Sequence, residues 1–151
     1  MQNYKKAALF RECQKYLDLR INRILTSIKD LENSLTGETK SSAGDKYETG
    51  REMINAEIEK LSAQLYEFRK LEEVLQLAGR SSYSKKAGLG SVVETSTAHY
   101  FIAIPAGEIV FENKKYYAIG ANSPIAKMLL GKHEGEEFSF NGISTKIQLV
   151  N

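Results

Sequence analysis

Asp45 and Glu48 are the residues of this chain whose types and spacing best suit chemistry. Two carboxylates three positions apart at the start of a helix point to nearly the same side. Paired hard oxygens of that kind are what a divalent cation such as magnesium accepts as ligands. The same Asp-x-x-Glu pattern is also a capping box, with Asp45 at the N-cap and Glu48 at the third helical position. The positive end of a helix favours both acids whatever their role. Ser42 stands three residues before Asp45, and if Ser42 caps the helix instead, both carboxylates are left for an external ion. Lys40, Lys46 and Arg51 flank the pair, either as phosphate contacts beside the acids or as a solvated charged turn. Tyr47 is either a contact to a partner or a staple onto its own helix.

Other candidates carry less. His99 opens an alternating strand and His133 lies in a Lys-His-Glu-Gly turn, neither with a nucleophile or second ligand nearby in sequence. Cys13 falls on an apolar stripe and reads as packing. As the single cysteine it excludes an internal disulfide and a cysteine-cluster zinc site. Gly88-Leu89-Gly90 is only the front of a glycine fingerprint, without the helix a nucleotide site requires. Tyr100, Phe101, Tyr116, Tyr117, Phe138 and Phe140 sit at strand spacing, mainly as core, with some expected to line a shallow docking surface.

The elements that must position the acids are legible from periodicity. Leu17, Ile21, Ile24, Ile28, Leu31 and Leu35 step by four and three, which is a heptad seam, and Phe10 and Cys13 extend it backwards. After a polar break at 36–44, Ile54, Ile58, Leu61, Leu65 and Phe68 repeat the pattern and continue through Leu71 and Leu75. Each stripe alone would leave apolar surface in water. Two helices joined by a short break bury their stripes most simply against each other, as an antiparallel coiled-coil hairpin over 1–78. Helices of about 30 residues would make a rod on the order of 45 Å long, with its tip near 37–50. Such a rod has no interior for a substrate pocket, so the tip is its informative part.

The second half has a different grammar. Both prolines and seven of the eleven glycines lie after residue 80, and 79–90 reads as a linker. Six short segments rich in β-branched and aromatic residues follow, at 91–95, 99–104, 108–111, 115–119, 137–140 and 144–150. Asn141-Gly142 is a strong hairpin signal. One short helix interrupts them, with Ser123 as cap, Pro124 in its first turn, Ile125 to Leu130 as its body and Gly131 as its stop. The expected fold is therefore α+β: the helical hairpin, then a small antiparallel β domain with one short helix over 91–151.

Charge and hydropathy narrow the function classes. Of 151 residues, 42% are hydrophobic and 26% charged, the balance of a folded chain. The net charge of +2 divides evenly, with 14 basic and 13 acidic residues in 1–80 and 7 and 6 in 81–151. Neither half has the basic field of a protein that holds nucleic acid unaided. No apolar run approaches the roughly 18 to 20 residues of a membrane span. The first residues are too polar for a signal peptide, so the expected compartment is the cytoplasm.

The segment Ser123-Pro124-Ile125-Ala126-Lys127-Met128-Leu129-Leu130-Gly131-Lys132-His133-Glu134-Gly135-Glu136-Glu137-Phe138 resembles the signature of the C-terminal domain of the Gre transcript-cleavage factors. That family also carries a coiled-coil hairpin ahead of this domain. Gly44-Asp45-Lys46-Tyr47-Glu48 resembles its tip motif Gly-Asp-x-x-Glu, with Tyr47 where the family usually has serine and Thr49-Gly50 where it has Asn-Ala.

The resemblance implies an FKBP-like second domain. It implies docking on bacterial RNA polymerase through Ser123, Pro124 and Lys132. It further implies that Asp45 and Glu48 serve a magnesium ion shared with the polymerase beside the backtracked RNA 3′ end. On that reading the chain is an accessory factor rather than an enzyme, and it binds no cofactor alone. Two alternatives stay open: a channel-binding regulator that inhibits without cleavage, and an FKBP-like peptide binder, against which the lack of tryptophan argues.

Overall fold

The computed structural model describes residues 2–39, 44–81 and 84–151; within its helices, the side chains of residues 2, 3, 38, 39 and 44–47 lie outside that description. The architecture is α+β. Two long helices, α1 (Gln2–Thr39) and α2 (Gly44–Gly79), precede strands β1 (Val92–Thr95), β2 (His99–Ala103), β3 (Gly107–Phe111) and β4 (Lys114–Gly120). Helix α3 (Pro124–Leu129) and strands β5 (Glu137–Phe140) and β6 (Ile143–Val150) complete the chain. Leu17–Lys70 forms one compact unit; Met1–Tyr16 together with Leu71–Asn151 forms the other.

Within Leu17–Lys70, burial follows the heptad stripe. Leu17, Ile21 and Ile24 are buried, and Ile28, Leu31, Leu35, Ile54, Ile58, Leu61, Leu65 and Phe68 are half-buried. The charged positions between them, Arg23, Lys29, Glu57, Glu59 and Lys60, are exposed. This is how a helix with one apolar stripe sorts its side chains. In the other unit the stripe of α1 starts one residue earlier than its spacing suggests. Leu9 is fully buried, in line with Cys13 and Leu17 at four-residue steps, while Phe10 is only half-buried. Phe10 lies instead against the end of α2, where a Cβ on Gly79 would stand 2.6 Å from its ring.

The six strands form one sheet in the order β3-β4-β2-β1-β6-β5. The expectation of an antiparallel sheet fails at one pair: β2 and β4 run parallel, with Tyr100 beside Tyr117 and Ile102 beside Ile119. The reason lies in how the β3–β4 hairpin folds back. Strand β3 takes the outer edge and β4 the inner place beside β2, so β3 itself is the crossover that a parallel pair requires. The turn between them, Glu112-Asn113, has positive φ at both residues (50° and 64°), as does Asn141-Gly142 between β5 and β6 (51° and 79°). Those are the angles of the two-residue turn that matches strand twist.

Both faces of the sheet are covered at its centre, on β1 and β2. On one, Val93, Ile102, Ile147 and Val150 pack with Leu129 of α3 and with Phe138 and Ala87. The other face presents Glu94, His99 and Tyr116 on three neighbouring strands, where Lys5 of α1 reaches Glu94. Strand β1 is buried throughout because each of its sides has a partner layer. The stretch expected as a linker carries contacts of its own. Ala87 is buried, its N–H donates to the Lys132 carbonyl at 2.9 Å, and Lys86 bridges to His133.

Candidate functional site

The acidic pair sits at the beginning of α2. The helix starts at Gly44, so Asp45 and Glu48 both have helical backbone and lie one turn apart on it. Glu48 is exposed, and Arg51, exposed as well, follows it by three residues. The side chains of Asp45, Lys46 and Tyr47 and the whole of Lys40 lie outside the described residues. Two carboxylates on one turn offer hard oxygens, the donor type that magnesium takes, but fewer than a complete shell.

The second candidate region is the signature segment 123–138. Ser123 is the N-cap of α3: its hydroxyl accepts from the Ala126 N–H at 3.3 Å and donates to the Gly120 carbonyl at 2.8 Å. Pro124 occupies the first helical position, where its missing N–H costs nothing, and is exposed. Ala126 and Leu129 turn inward, Leu130 closes the helix, and Gly131 takes φ +82° just beyond it. The Gly131 N–H donates to the Ala87 carbonyl at 2.8 Å, which places Lys132 and His133 beside the 86–87 backbone. Ser123 and Pro124 thus stand at the start of α3 and Lys132 just past its end. Downstream, Gly135 at φ +88° donates to the Ile147 carbonyl at 2.7 Å, and the Glu134 carboxylate accepts from the Val150 N–H at 3.0 Å. The segment owes its pattern to caps and turns that hold α3 and the start of β5 on the sheet.

Of the strand aromatics, Phe101, Tyr116 and Phe138 are buried, and Phe138 also lines a groove with Tyr100, Phe140 and Ile125 of α3. Its volume is about 220 Å³, room for one apolar side chain rather than a whole small-molecule ligand. Thr97 and Thr145 form its polar end, their hydroxyls 3.2 Å apart. Burial, with Tyr117 beside it, raises the Tyr100 phenol above its ordinary pKa, so it stays protonated and a donor.

A third arrangement was not legible beforehand. Glu94, buried within β1, accepts a hydrogen bond from the Lys5 ammonium at 2.5 Å, and the Lys114 ammonium stands 3.7 Å from its other oxygen. Burial alone would raise the Glu94 carboxyl, but Lys5, Lys114 and the neighbouring His99 outweigh it and hold it below its ordinary value. For Lys5, burial pushes downward; Glu94 and the nearby Tyr116 outweigh it and raise the ammonium. The one hint in the sequence is an acid inside the otherwise apolar and hydroxyl-bearing run Val92-Val93-Glu94-Thr95.

Comparison with protein-family models, with curated proteins and with solved structures finds no match to this chain. Among the described residues, no helix is long and apolar enough to cross a membrane.

Proposed function

We propose that this chain is a Gre-like elongation factor that binds bacterial RNA polymerase at its secondary channel and stimulates cleavage of backtracked RNA. What carries the reading is one observation: the Gre-like signature occurs as a capped helix with a glycine stop, in a chain whose two long helices come first. On this reading α1 and α2 pair as an antiparallel coiled-coil hairpin, and the sheet with α3 is an FKBP-like domain. That domain docks at the channel rim through Ser123, Pro124 and Lys132, and the helical tip enters the channel.

At the tip, Asp45 and Glu48 contribute oxygens to a magnesium ion that belongs to the polymerase. Such an ion, when bound, steadies charge at a phosphodiester undergoing hydrolysis. Lys40, Lys46 and Arg51 neutralise RNA phosphates beside the acids, and Tyr47 contacts the partner. The reaction belongs to the polymerase, so the chain is an accessory factor acting in the cytoplasm.

The experiment is RNA release from a backtracked polymerase complex, comparing wild type with Asp45→Asn plus Glu48→Gln. Stimulated release that disappears in the double variant, with polymerase binding retained, is the expected result. Equal release by both proteins removes the acids from the mechanism. Suppressed cleavage with wild type makes the chain an inhibitory channel regulator instead.

The groove between Ile125 and Tyr100 favours a second reading, in which the FKBP-like domain holds an apolar side chain of a peptide. Prolyl isomerisation of a test peptide by the full chain would support it, and Phe138→Ala would then abolish it.

A further inference from the structure

The start of α1 is attached to the sheet by few contacts. Tyr4 is 61% exposed, although its ring rests 5.7 Å from that of Phe111. Ala7 is exposed and Ala8 half-buried, while burial lowers the pKa of Lys6, so that its ammonium gains nothing from the packing. The first fully buried side chain along the described part of the helix is Leu9. Ahead of Leu9, the strongest attachment is the Lys5–Glu94 ion pair.

Beneath that pair lies an imperfectly satisfied polar patch. Lys5 stands 5.6 Å from the centre of the Tyr116 ring, and the His99 ring is 5.4 Å from it on the neighbouring strand. His99 Nδ1 is buried without a hydrogen-bond partner among the described residues, while the Tyr116 hydroxyl interacts with the Lys5 ammonium.

We propose that the first two turns of α1 are a releasable clasp on the sheet, closed by the Lys5 ammonium on the Glu94 carboxylate. Its opening bares the His99, Tyr116 and Phe111 face while Leu9 and the rest of α1 stay packed. Two features make local release cheaper than breaking an ordinary buried pair, which would strand one charge. Lys114, more than half exposed, remains beside Glu94 when Lys5 leaves. The unpartnered His99 Nδ1 gains water on opening, which offsets part of the lost pair. Segments with little buried apolar surface open separately from the core for the same reason. The groups facing Glu94 are Lys5 from α1, His99 from β2 and Lys114 from β4, with Tyr116 of β4 next to Lys5. Loss of the Glu94 charge leaves the cations with no anion and opens the clasp.

The test is amide hydrogen exchange of the full chain, resolved by residue. The first amides of a helix lack an acceptor one turn back, so the probes are Lys6 to Leu9, with Val92 to Thr95 as the core reference. Lys5→Met and Glu94→Gln should each speed exchange at Lys6 to Leu9 at least about ten-fold, leaving the reference unchanged. Lys114→Met should change it by less than about two-fold. Exchange at Lys6 to Leu9 that tracks the reference in wild type, or that ignores Lys5→Met, overturns the clasp. Should Glu94→Gln fail to fold, acidifying the wild type below about pH 4 supplies the same readout after correction for intrinsic rates. Protection lost at Lys6 to Leu9 ahead of the reference upholds the proposal, and simultaneous loss overturns it.

Discussion

Gly90 stands against the carbonyl of Ala78: a Cβ on Gly90 would lie 2.4 Å from that oxygen, and the residue has φ +89°. Two independent constraints therefore require glycine at the point where the chain, having left α2, enters the sheet. The contact is with backbone, which cannot rotate away. Left-handed backbone costs a substituted residue about 1–2 kcal/mol on its own, and the overlap adds to it. Gly90→Ala should lower the denaturant midpoint by more than that conformational share, with an unchanged slope. An unaltered midpoint would mean that the 78–90 contact is not formed in solution.

Ser123 gives a way to separate capping from docking. Its hydroxyl accepts from Ala126 and donates to Gly120. Ser123→Ala should cost about 0.5–2 kcal/mol of stability, whereas Ser123→Asp keeps the cap acceptor but not the donor to Gly120 and should recover part of it. If the residue also touches a partner, the aspartate variant will be stable yet weakened in binding. Thermal melting and polymerase co-sedimentation, run on both variants, give the two answers.

Cys13 is fully buried, and burial, with the charge of Glu12, pushes its thiol up to about 12. The thiolate is the reactive form, so native protein at about pH 8 should resist a thiol reagent, and labelling should require local or global opening. We expect native labelling at least about 1,000-fold slower than in denaturant, as for a site protected by several kcal/mol. Fast native labelling would contradict the packing of α1.

The Lys5–Glu94 pair also sets a pH profile. Glu94 is depressed in the folded state, so its contribution is complete above the unfolded carboxylate value of about 4.3. It is lost as pH falls through the lower folded value. Lys5 is raised, so its contribution is complete below the unfolded lysine value of about 10.4. That one is lost as pH rises through the higher folded value. The stability difference between wild type and Glu94→Gln should be flat from about pH 6 to 9 and shrink below about pH 4. A difference that grows on acidification would reverse the assignment. Denaturant titrations at four or five pH values suffice.

Local rules made much of this protein readable before any coordinates. The stripes through Leu17 to Leu35 and Ile54 to Leu75 announce helices, because a period near 3.6 can bury one face in no other way. Asn141-Gly142 and Ser123-Pro124 mark a turn and a helix start, because each residue's own φ or missing N–H restricts it. Asp45 and Glu48 stood out by spacing alone, and both have helical backbone.

What only the tertiary structure decided depends on residues distant in sequence. The parallel β2–β4 pair arises because β4, not β3, takes the place beside β2, and no residue in either strand encodes a neighbour. Burial of Glu94 is intelligible only when Lys5, 89 positions away, is beside it. The groove at Tyr100 likewise needs Ile125 and Phe138 brought in from other elements. Periodicity and turn chemistry act within a few bonds, whereas pairing, charge compensation and cavities are set by which surfaces meet.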